Sequence, residues 1–408
     1  MEPNRIRIQA RRTRRPCAVG AVALAASLLA VTSASGTRAA ETACSPSATI
    51  LESPRAHSLE VQAKGINDRG DVVGFADANG GKSPGHAILW KGGKAADAID
   101  LGVLSGYVAS EAYGVNARRV VFGLLYDKKE RAVPFRWANG HMAVLKGPNG
   151  RLVFTDNPGS GGRNAINSKG ETAWTVIIHG NRRAMRWTPD GKASFLPALP
   201  GHTWTDAFGI NDNGIVSGWS RKLPNEDGEE NPVLWDASGK VIPLKIAPGR
   251  ADGIAEATNS SGLTVGYLGN AGTDGMPGVP NTDPERDNAV VWQSRSAEPR
   301  LLGPPAPVHF IAELVDVNDR GQAAGMAGTM TNKGFGLARP LIWRTGWTSL
   351  KPIRIPSVSQ KSNPVVIAAL TDINNRGDIV GTVYGLAAKN YSALRRIDPV
   401  LWTCQFDG

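Results

Sequence analysis

The strongest constraint on how this chain folds is a short motif that recurs seven times. Its first copy is GINDRGDVVG, residues 65–74, and its most regular member is an Asn that follows an apolar residue or Thr. Successive copies of this Asn are 44 to 59 residues apart, a spacing typical of folds that stack or close one repeated unit. The seven residues are Asn67, Asn116, Asn167, Asn211, Asn259, Asn318 and Asn374.

Two Gly positions accompany the Asn. Gly lies three residues after it in six copies, with Arg119 as the exception, and seven residues after it in six copies, with Trp174 as the exception. Asn hydrogen-bonds readily to its own backbone, and Gly adopts a positive φ without steric cost. Asn-x-x-Gly therefore predicts a tight turn that joins two β-strands into a hairpin.

Each Asn is followed by a second motif that ends in Trp. Two mostly apolar residues precede the Trp, and Ala or Pro stands three positions before it, as in HAILW, residues 86–90. Pro is compatible with the first position of a strand, which can lack an amide donor. The motif predicts a third strand, and a turn after it leads to a short fourth strand. The seven residues are Trp90, Trp137, Trp187, Trp235, Trp292, Trp343 and Trp402.

Four strands in each of seven repeats predict an all-β fold, a seven-bladed β-propeller of four-stranded antiparallel blades. Residues 41–408 would form it as a single domain. A β-solenoid and a string of small domains are the alternatives. A solenoid coil normally needs fewer residues per turn, and one repeat alone cannot bury its own apolar faces, so the propeller is favoured.

The two ends of the chain complement each other. The sequence ends just after the seventh Trp motif, so the seventh repeat lacks a fourth strand. The segment Ser47–Pro54 precedes the first repeat and supplies a spare one. We predict that Ala48–Leu51 pairs with the strand ending in Trp402 and closes the ring.

Residues 1–40 are typical of a secretory signal peptide. A basic start is followed by the uncharged stretch Ala18–Gly36 and by small residues at Ala39 and Ala40. A membrane anchor is the alternative, but the most apolar part, Ala18–Val31, is short and rich in Ala. We expect a secreted or periplasmic protein with no stable membrane insertion after cleavage.

The basic charge of the chain belongs largely to this leader. Residues 1–40 hold seven Arg and one Glu, so the formal charge of +10 falls to about +4 for residues 41–408. A nucleic-acid partner is therefore not expected, because such proteins carry a basic patch or stripe.

Two cysteines remain in the expected mature chain, Cys44 and Cys404, close to its two ends. A pair of cysteines in an exported protein predicts a disulfide, here at the seam where the ring closes. The alternative is a lipid-modified Cys44. Glu41 argues against it, because that position is normally apolar in such signals.

The paired motifs resemble a known family. An Asn-x-x-Gly hairpin, a Gly soon after it and a His-Ala-Phe-like triplet before Trp are similar to the HAF repeats of predicted bacterial extracellular proteins. His86-Ala87-Ile88 is the triplet nearest to that pattern. The resemblance covers about residues 59–404. It implies an exported β-repeat protein and supplies no catalytic residues.

The sequence contains no recognisable catalytic motif. The six His residues lack metal-ligand spacing, and there is no phosphate loop, dinucleotide fingerprint or nucleophile elbow. Two acidic loops, Asn225–Glu230 and Asp274–Asp287, leave calcium binding as an alternative to plain solvated loops, but neither has the spacing of a calcium-binding hand. We expect no cofactor and no metal.

Binding residues are expected on the propeller face opposite the Asn-x-x-Gly turns, because loops on a rigid scaffold commonly carry binding. Trp204 and Trp219 fall near that face and could stack on a sugar or grip a peptide, unless they cap the core between blades. The long variable loops emerging there are Arg221–Asn231, Leu268–Asn288, Ala327–Arg339 and Tyr384–Asp398.

Two functions remain open. The first is a non-catalytic binding or interaction module at the cell exterior, expected to be a monomer, with an extracellular glycan or protein as its partner. The second is a propeller-type glycan hydrolase or lyase with carboxylates near the central channel. Glu111, Asp206 and Glu313 are the candidates, since they stand at the same offset before the Asn in copies two, four and six. The uniform structural motifs favour binding.

Overall fold

The computed structural model describes residues 47–155, 165–222, 230–269, 288–303, 311–328, 330–331, 334–335, 339–353, 365–386 and 394–403. Within these ranges the chain forms 29 strands and three one-turn 3-10 helices, Lys91–Gly93, Ala95–Asp97 and Pro148–Gly150. None of the helices described is long and apolar enough to cross a membrane.

The strands form seven antiparallel blades arranged in a ring, which confirms the predicted β-propeller. Within a blade the strands follow one another from the channel outwards. Blade 1 contains β2 (Val61–Ile66), β3 (Val72–Ala78), β4 (Ser83–Trp90) and β5 (Ala98–Asp100). Blade 2 contains β6 (Ala109–Val115), β7 (Val121–Tyr126), β8 (Ala132–Ala138) and β9 (His141–Val144). Blade 3 contains β10 (Thr172–Ile178), β11 (Asn181–Trp187) and β12 (Ala193–Phe195). Blade 4 contains β13 (Trp204–Ile210), β14 (Val216–Arg221), β15 (Glu230–Trp235) and β16 (Val241–Pro243).

The remaining blades follow the same plan. Blade 5 contains β17 (Asp252–Thr258), β18 (Thr264–Gly269), β19 (Asn288–Trp292) and β20 (Arg300–Leu302). Blade 6 contains β21 (Ile311–Val317), β22 (Gln322–Gly328), β25 (Arg339–Arg344) and β26 (Lys351–Pro352), with a small added hairpin of β23 (Met330–Thr331) and β24 (Gly334–Phe335). Blade 7 contains β27 (Val365–Ile373), β28 (Ile379–Leu386), β29 (Leu394–Thr403) and, from the other end of the chain, β1 (Ser47–Ile50). The innermost position of blade 3 is represented by isolated bridges, Ile166 to Thr172 and Phe154 to Ile177.

Strand β1 closes the ring as predicted. It lies antiparallel to β29, with Ala48 opposite Trp402 and Ile50 opposite Val400. The first described strand thus becomes the outer strand of the last blade. Cys44 and Cys404, like the expected leader, lie outside the described residues, so the disulfide and the signal peptide stay predictions.

A β-bulge explains the second Gly of the motif. In six blades the pairing of the inner strand with the second strand shifts two to four residues before the Asn, as between Ala63 and Gly65. A Cβ on the second Gly would lie only 1.8–2.3 Å from a carbonyl oxygen of that bulged inner strand. Real Cβ atoms do not approach so closely, so no side chain fits. Blade 3 carries Trp174 at this position, and there the inner pairing is reduced to isolated bridges.

The Trp of the second motif packs between blades. Six of the seven are fully buried, and Trp137 is half-buried. Several indole N–H groups donate to a carbonyl just beyond the outer strand of the preceding blade, as Trp187 does to Lys146 at 2.7 Å and Trp235 to Pro197 at 2.7 Å. The Trp residues that make such a bond, Trp90, Trp187, Trp235 and Trp292, therefore fill the core and also tie two blades together.

Candidate functional site

The seven motif Asn residues lie around the channel axis at one end of the propeller. We call this end the turn face, because all seven Asn-x-x-Gly turns lie there. The side-chain oxygen of each Asn accepts the backbone N–H of the residue four positions later, at 2.9–3.0 Å. The third position after the Asn has positive φ in all seven turns, including 58° for Arg119 in the second. The Asn side chain thus holds its own turn in shape.

The same side chains also join the blades. Each amide group donates to the backbone carbonyl of the motif Asn in the next blade, at 2.8–3.2 Å. The last bond, from Asn374 to Asn67, closes a ring of seven hydrogen bonds. We call these residues the Asn ring. Sequence reasoning missed it, although one signal was present: many residues can form the turn, but the same uncharged donor and acceptor recurs at all seven positions.

The Asn ring surrounds a cavity of about 130 Å³ to which every blade contributes. Its inner lining consists of the residues that precede each Asn, which are buried and apolar in every blade except for Thr258. They are Ile66, Val115, Ile166, Ile210, Thr258, Val317 and Ile373. The mouth consists of the residues that follow each Asn, which are largely exposed. They are Asp68, Ala117, Ser168, Asp212, Ser260, Asp319 and Asn375.

Three carboxylates make the mouth of this cavity acidic: Asp68, Asp212 and Asp319. Each accepts a backbone N–H from the preceding blade, for example that of Ser168 on Asp212 at 2.8 Å. These bonds hold the carboxylates in defined positions on three blades. In the described part of the chain, no group of three or more His, Cys, Asp or Glu side chains could hold a metal ion.

Two more carboxyl groups are buried in the channel wall. Asp316 and Asp372 stand two residues before the Asn of blades 6 and 7, where the other blades have Gly or Ala. Asp316 accepts the N–H of Ile373 at 2.9 Å, and Asp372 accepts that of Ile66 at 2.7 Å. Burial raises the pKa of Asp372 well above its usual range, and the neighbouring Asp316 raises it further.

The three carboxylates singled out from the sequence lie on inner strands of blades 2, 4 and 6, and none of them lines the cavity. Asp206 is buried and pairs with the Arg182 guanidinium of blade 3, with Nη2 and Oδ2 2.6 Å apart. It also accepts the hydroxyl of Thr175. Glu313 is half-buried opposite Met326. The structure thus places each carboxylate in a separate local environment.

Glu111 belongs to a charged cluster that spans blades 1 and 2. It accepts the phenol of Tyr113 at 2.6 Å and lies 3.6 Å from the Lys64 ammonium, which in turn sits 4.8 Å from the centre of the Tyr113 ring. Burial raises the pKa of Tyr113 well above its usual value, and the Glu111 charge adds to this. Burial likewise raises the pKa of the nearby Glu60, to which Gln62 donates. The Tyr113 phenol therefore stays protonated at neutral pH and donates a hydrogen bond to Glu111.

The two Trp residues proposed for binding differ in exposure. Trp219 is buried against Phe208 and Ile254, so its ring is part of the core between blades. Trp204 is half-buried beside it and donates to the Asn181 side chain at 3.0 Å. Both lie at the end of the blade 4 hairpin that is remote from the Asn turn. The long loops expected to complete this surface lie largely outside the described residues.

No protein-family model matches this sequence, and no curated protein matches it either. Solved structures do match. The β-propeller domain of the trilobed protease from Pyrococcus furiosus, described as having an open velcro topology, is 10% identical with a TM-score of 0.51, over 85% of this chain and 95% of that one. An oligogalacturonate lyase from Vibrio parahaemolyticus is 12% identical with a TM-score of 0.50, over 87% and 93%. A streptogramin B lyase is 10% identical with a TM-score of 0.48, over 88% and 97%.

At such low identity the likeness is one of fold. It supports the propeller architecture and reaches across nearly the whole of each matched propeller. In this chain the ring is closed by the pairing of β1 with β29.

Proposed function

We propose that this protein is an exported binding module that receives one end of a glycan or protein at the cavity of the turn face, and not on the opposite face, where the long loops led us to expect binding. The observation that carries the proposal is the cavity itself, which seven blades build together. The Asn ring fixes its shape, and its mouth is a set of oriented acceptors on a rigid frame. Rigid presentation of this kind lowers the ordering cost of binding.

The size of the cavity supports a terminus as the ligand. Its volume of about 130 Å³ is well below the roughly 300–1,000 Å³ of a site that engulfs a small molecule. It can therefore take one group of a larger partner, while the rest of that partner lies on the turn face. The partner should present hydrogen-bond donors, hydroxyl or amine, to Asp68, Asp212 and Asp319.

A second candidate is a glycan hydrolase or lyase, which one cluster and the name of one matched propeller support. Lys64, Glu111 and Tyr113 bring a cation, a carboxylate and a protonated phenol together. One solved propeller of similar fold is named an oligogalacturonate lyase. Against this candidate, paired-carboxylate hydrolysis needs two carboxyl groups within about 5–9.5 Å of each other and a bound sugar. Asp206 is committed to its ion pair with Arg182 in another blade, and Glu60, the carboxyl group near Glu111, is held by the side chain of Gln62.

The experiment is a glycan array read beside a hydrolase and lyase screen, with the mature chain and three variants. Asp212→Asn keeps an acceptor for Ser168 but removes the charge at the mouth, so it should weaken binding of any array ligand about tenfold. Asp236→Asn is the matched control, because Asp236 caps an exposed turn of the same blade outside the cavity. Glu111→Gln should leave binding unchanged. If the screen detects turnover by the parent protein and Glu111→Gln abolishes it, the enzymatic function replaces this proposal.

A further inference from the structure

At the turn face, three seams between blades carry an Arg that is neutralised in the same way. The neutralising carboxylate is always the residue four positions after the motif Asn. Arg119 pairs with Asp71, with Nε and Oδ2 3.0 Å apart. Arg186 pairs with Glu171, and Arg376 pairs with Asp378. At these three seams each Arg thus meets a carboxylate built into the repeat.

The seam between blades 2 and 3 departs from this pattern. The residue four positions after Asn116 is Val120, so the carboxylate is missing, as it also is in blades 4, 5 and 6, which have Ile215, Leu263 and Gln322. Two guanidinium groups nevertheless gather there. Arg118 Nη2 and Arg136 Nη2 lie 3.3 and 3.4 Å from the point where a Cβ on Gly170 would stand. Asn116 Nδ2 lies 3.8 Å from the same point. Three donors therefore converge beside Gly170.

The positive charge in this space is uncompensated among the described residues. Arg118 and Arg136 donate to backbone carbonyls, those of Ser168 and Pro189. Burial lowers the pKa of Arg136, and the charge of Arg118 lowers it further. The buried Nε of Arg136 has no hydrogen-bond partner in the part of the chain that the structure describes. Two like charges held side by side stabilise neither partner, so the arrangement calls for an anion.

The Asn116 amide points to the same conclusion. This side chain is 4% exposed, and one of its amide hydrogens goes to the carbonyl of Asn167. In blades 1 and 3 the second amide hydrogen of the ring Asn goes to Asp71 or Glu171. Val120 offers no acceptor in blade 2, and neither do Ile215 and Leu263 in blades 4 and 5. Blade 2 differs because two guanidinium groups stand beside the amide, whereas among the described residues no guanidinium atom is one of those nearest to the corresponding points at Gly262 and Gly321, so here the nearly buried N–H can share an outside oxygen with them.

We propose that Asn116, Arg118 and Arg136 form an oxyanion site above Gly170. Guanidinium groups bind carboxylate, phosphate and sulfate oxygens through charge-assisted hydrogen bonds, and the amide supplies a further donor. Gly170 lets the two guanidinium groups converge, since a Cβ there would stand only 3.3–3.4 Å from both of them, and the anion would bind on the side of the guanidinium groups that faces away from Gly170. The site lies outside the acidic cavity mouth and requires a different ligand group: the carboxylate of an acidic sugar, or a phosphate or sulfate ester.

The test measures stabilisation by oxyanions. Thermal unfolding and calorimetric titration would use inorganic phosphate, sulfate and sodium glucuronate, with chloride keeping the ionic strength constant. The mature parent protein should show saturable binding of at least one of them. Val120→Glu restores the carboxylate that blade 3 has as Glu171, and it should abolish that binding. Arg118→Gln should weaken it about tenfold or more.

Arg69→Gln is the matched control. Arg69 holds the same repeat position in blade 1 as Arg118 in blade 2, is also exposed, and donates to the carbonyl of Ala117 at 3.2 Å. Its seam already has the Arg119–Asp71 pair, so anion binding should be unchanged. If Val120→Glu folds poorly, the comparison of anion binding by Arg118→Gln and by Arg69→Gln still tests the site. Absence of saturable binding in the parent, or equal weakening by both Arg variants, overturns the site. Binding of glucuronate but not of phosphate or sulfate would indicate that the natural ligand is an acidic glycan. Binding of phosphate or sulfate but not of glucuronate would indicate a phosphate or sulfate ester.

Discussion

Replacing one member of the Asn ring tests whether the ring holds the blades together. Asn211→Ala would remove three hydrogen bonds: two accepted by the side chain, from the N–H groups of Asn213 and Ile215 at 3.0 and 2.9 Å, and one donated to the carbonyl of Asn259 at 2.9 Å. Each neutral bond contributes about 0.5–1.5 kcal/mol, so the free energy of unfolding should fall by about 2–4 kcal/mol. Equilibrium unfolding in urea, followed by Trp fluorescence, measures the change.

Two further variants separate the ring from the turn. Asn211→Asp keeps an acceptor for the turn but directs a second oxygen at the carbonyl of Asn259, so it should cost at least about 1 kcal/mol at neutral pH. Asn213→Ala is the control, because Asn213 is exposed and its bond to the carbonyl of Ser260 at 2.7 Å should contribute within about 0.5 kcal/mol. The reasoning is refuted if Asn211→Ala destabilises no more than Asn213→Ala. If Asn211→Asp has the same free energy of unfolding as the parent, Asn211 contributes to stability through its turn and not through its bond to the next blade.

Three other changes probe the frame. Gly218→Ala would place a Cβ 1.9 Å from an inner-strand carbonyl and should cost more than about 3 kcal/mol in urea unfolding, whereas Gly303→Ala, with open space around it, should be close to neutral. The pKa of Asp372 is higher in the folded protein than its unfolded value of about 3.9. The contribution of Asp372 to the free energy of unfolding is therefore complete below about pH 3.9 and is lost as the pH rises through the folded pKa. Asp372→Asn should therefore match the parent near pH 4 and gain stability over it towards pH 8 in thermal scans, and an unchanging difference would contradict the buried charge. Non-reducing peptide mapping should find Cys44 linked to Cys404, and Cys404→Ser should lower the free energy of unfolding by about 2–4 kcal/mol; two free thiols would contradict the disulfide.

The architecture could be predicted from the sequence because each repeat contains motifs for a turn and a strand, and the repeats follow one another in a fixed order. Asn-x-x-Gly encodes a turn, and the buried Trp encodes a third strand, so order and spacing suffice to assemble a blade. Closure followed from counting strands: a seventh repeat that is one strand short and a spare strand at Ala48–Leu51 predict the observed pairing with β29. The turns, the strands and the number of strands can all be read along a single sequence.

The candidate site was harder to predict, because it depends on contacts between repeats. Glu111, Asp206 and Glu313 share an offset, but their neighbours differ from blade to blade. Asp206 meets Arg182, whereas Glu111 meets Lys64 and Tyr113. An equal offset places side chains on the same strand position, and says nothing about which charge the adjacent blade supplies. The interpretation of the Asn as a turn residue was incomplete for the same reason, since its amide bonds a residue about 50 positions away.

The repeated frame makes departures from it informative. The Asn ring uses only Asn side chains and backbone groups, so the positions around each Asn can vary without breaking it. The position after the Asn varies to give three carboxylates at the cavity mouth, and the fourth position varies between an acid in blades 1, 3 and 7 and an uncharged residue, such as Val120, in the other four. If Val120 had replaced an acid without any functional reason, we would expect the nearby Arg side chains to have moved apart or to have been replaced by neutral residues. Here Arg118 and Arg136 instead lie together beside Gly170, and neither is paired with a carboxylate among the described residues. That combination is better explained by a ligand that supplies the missing charge than by loss of an ion pair.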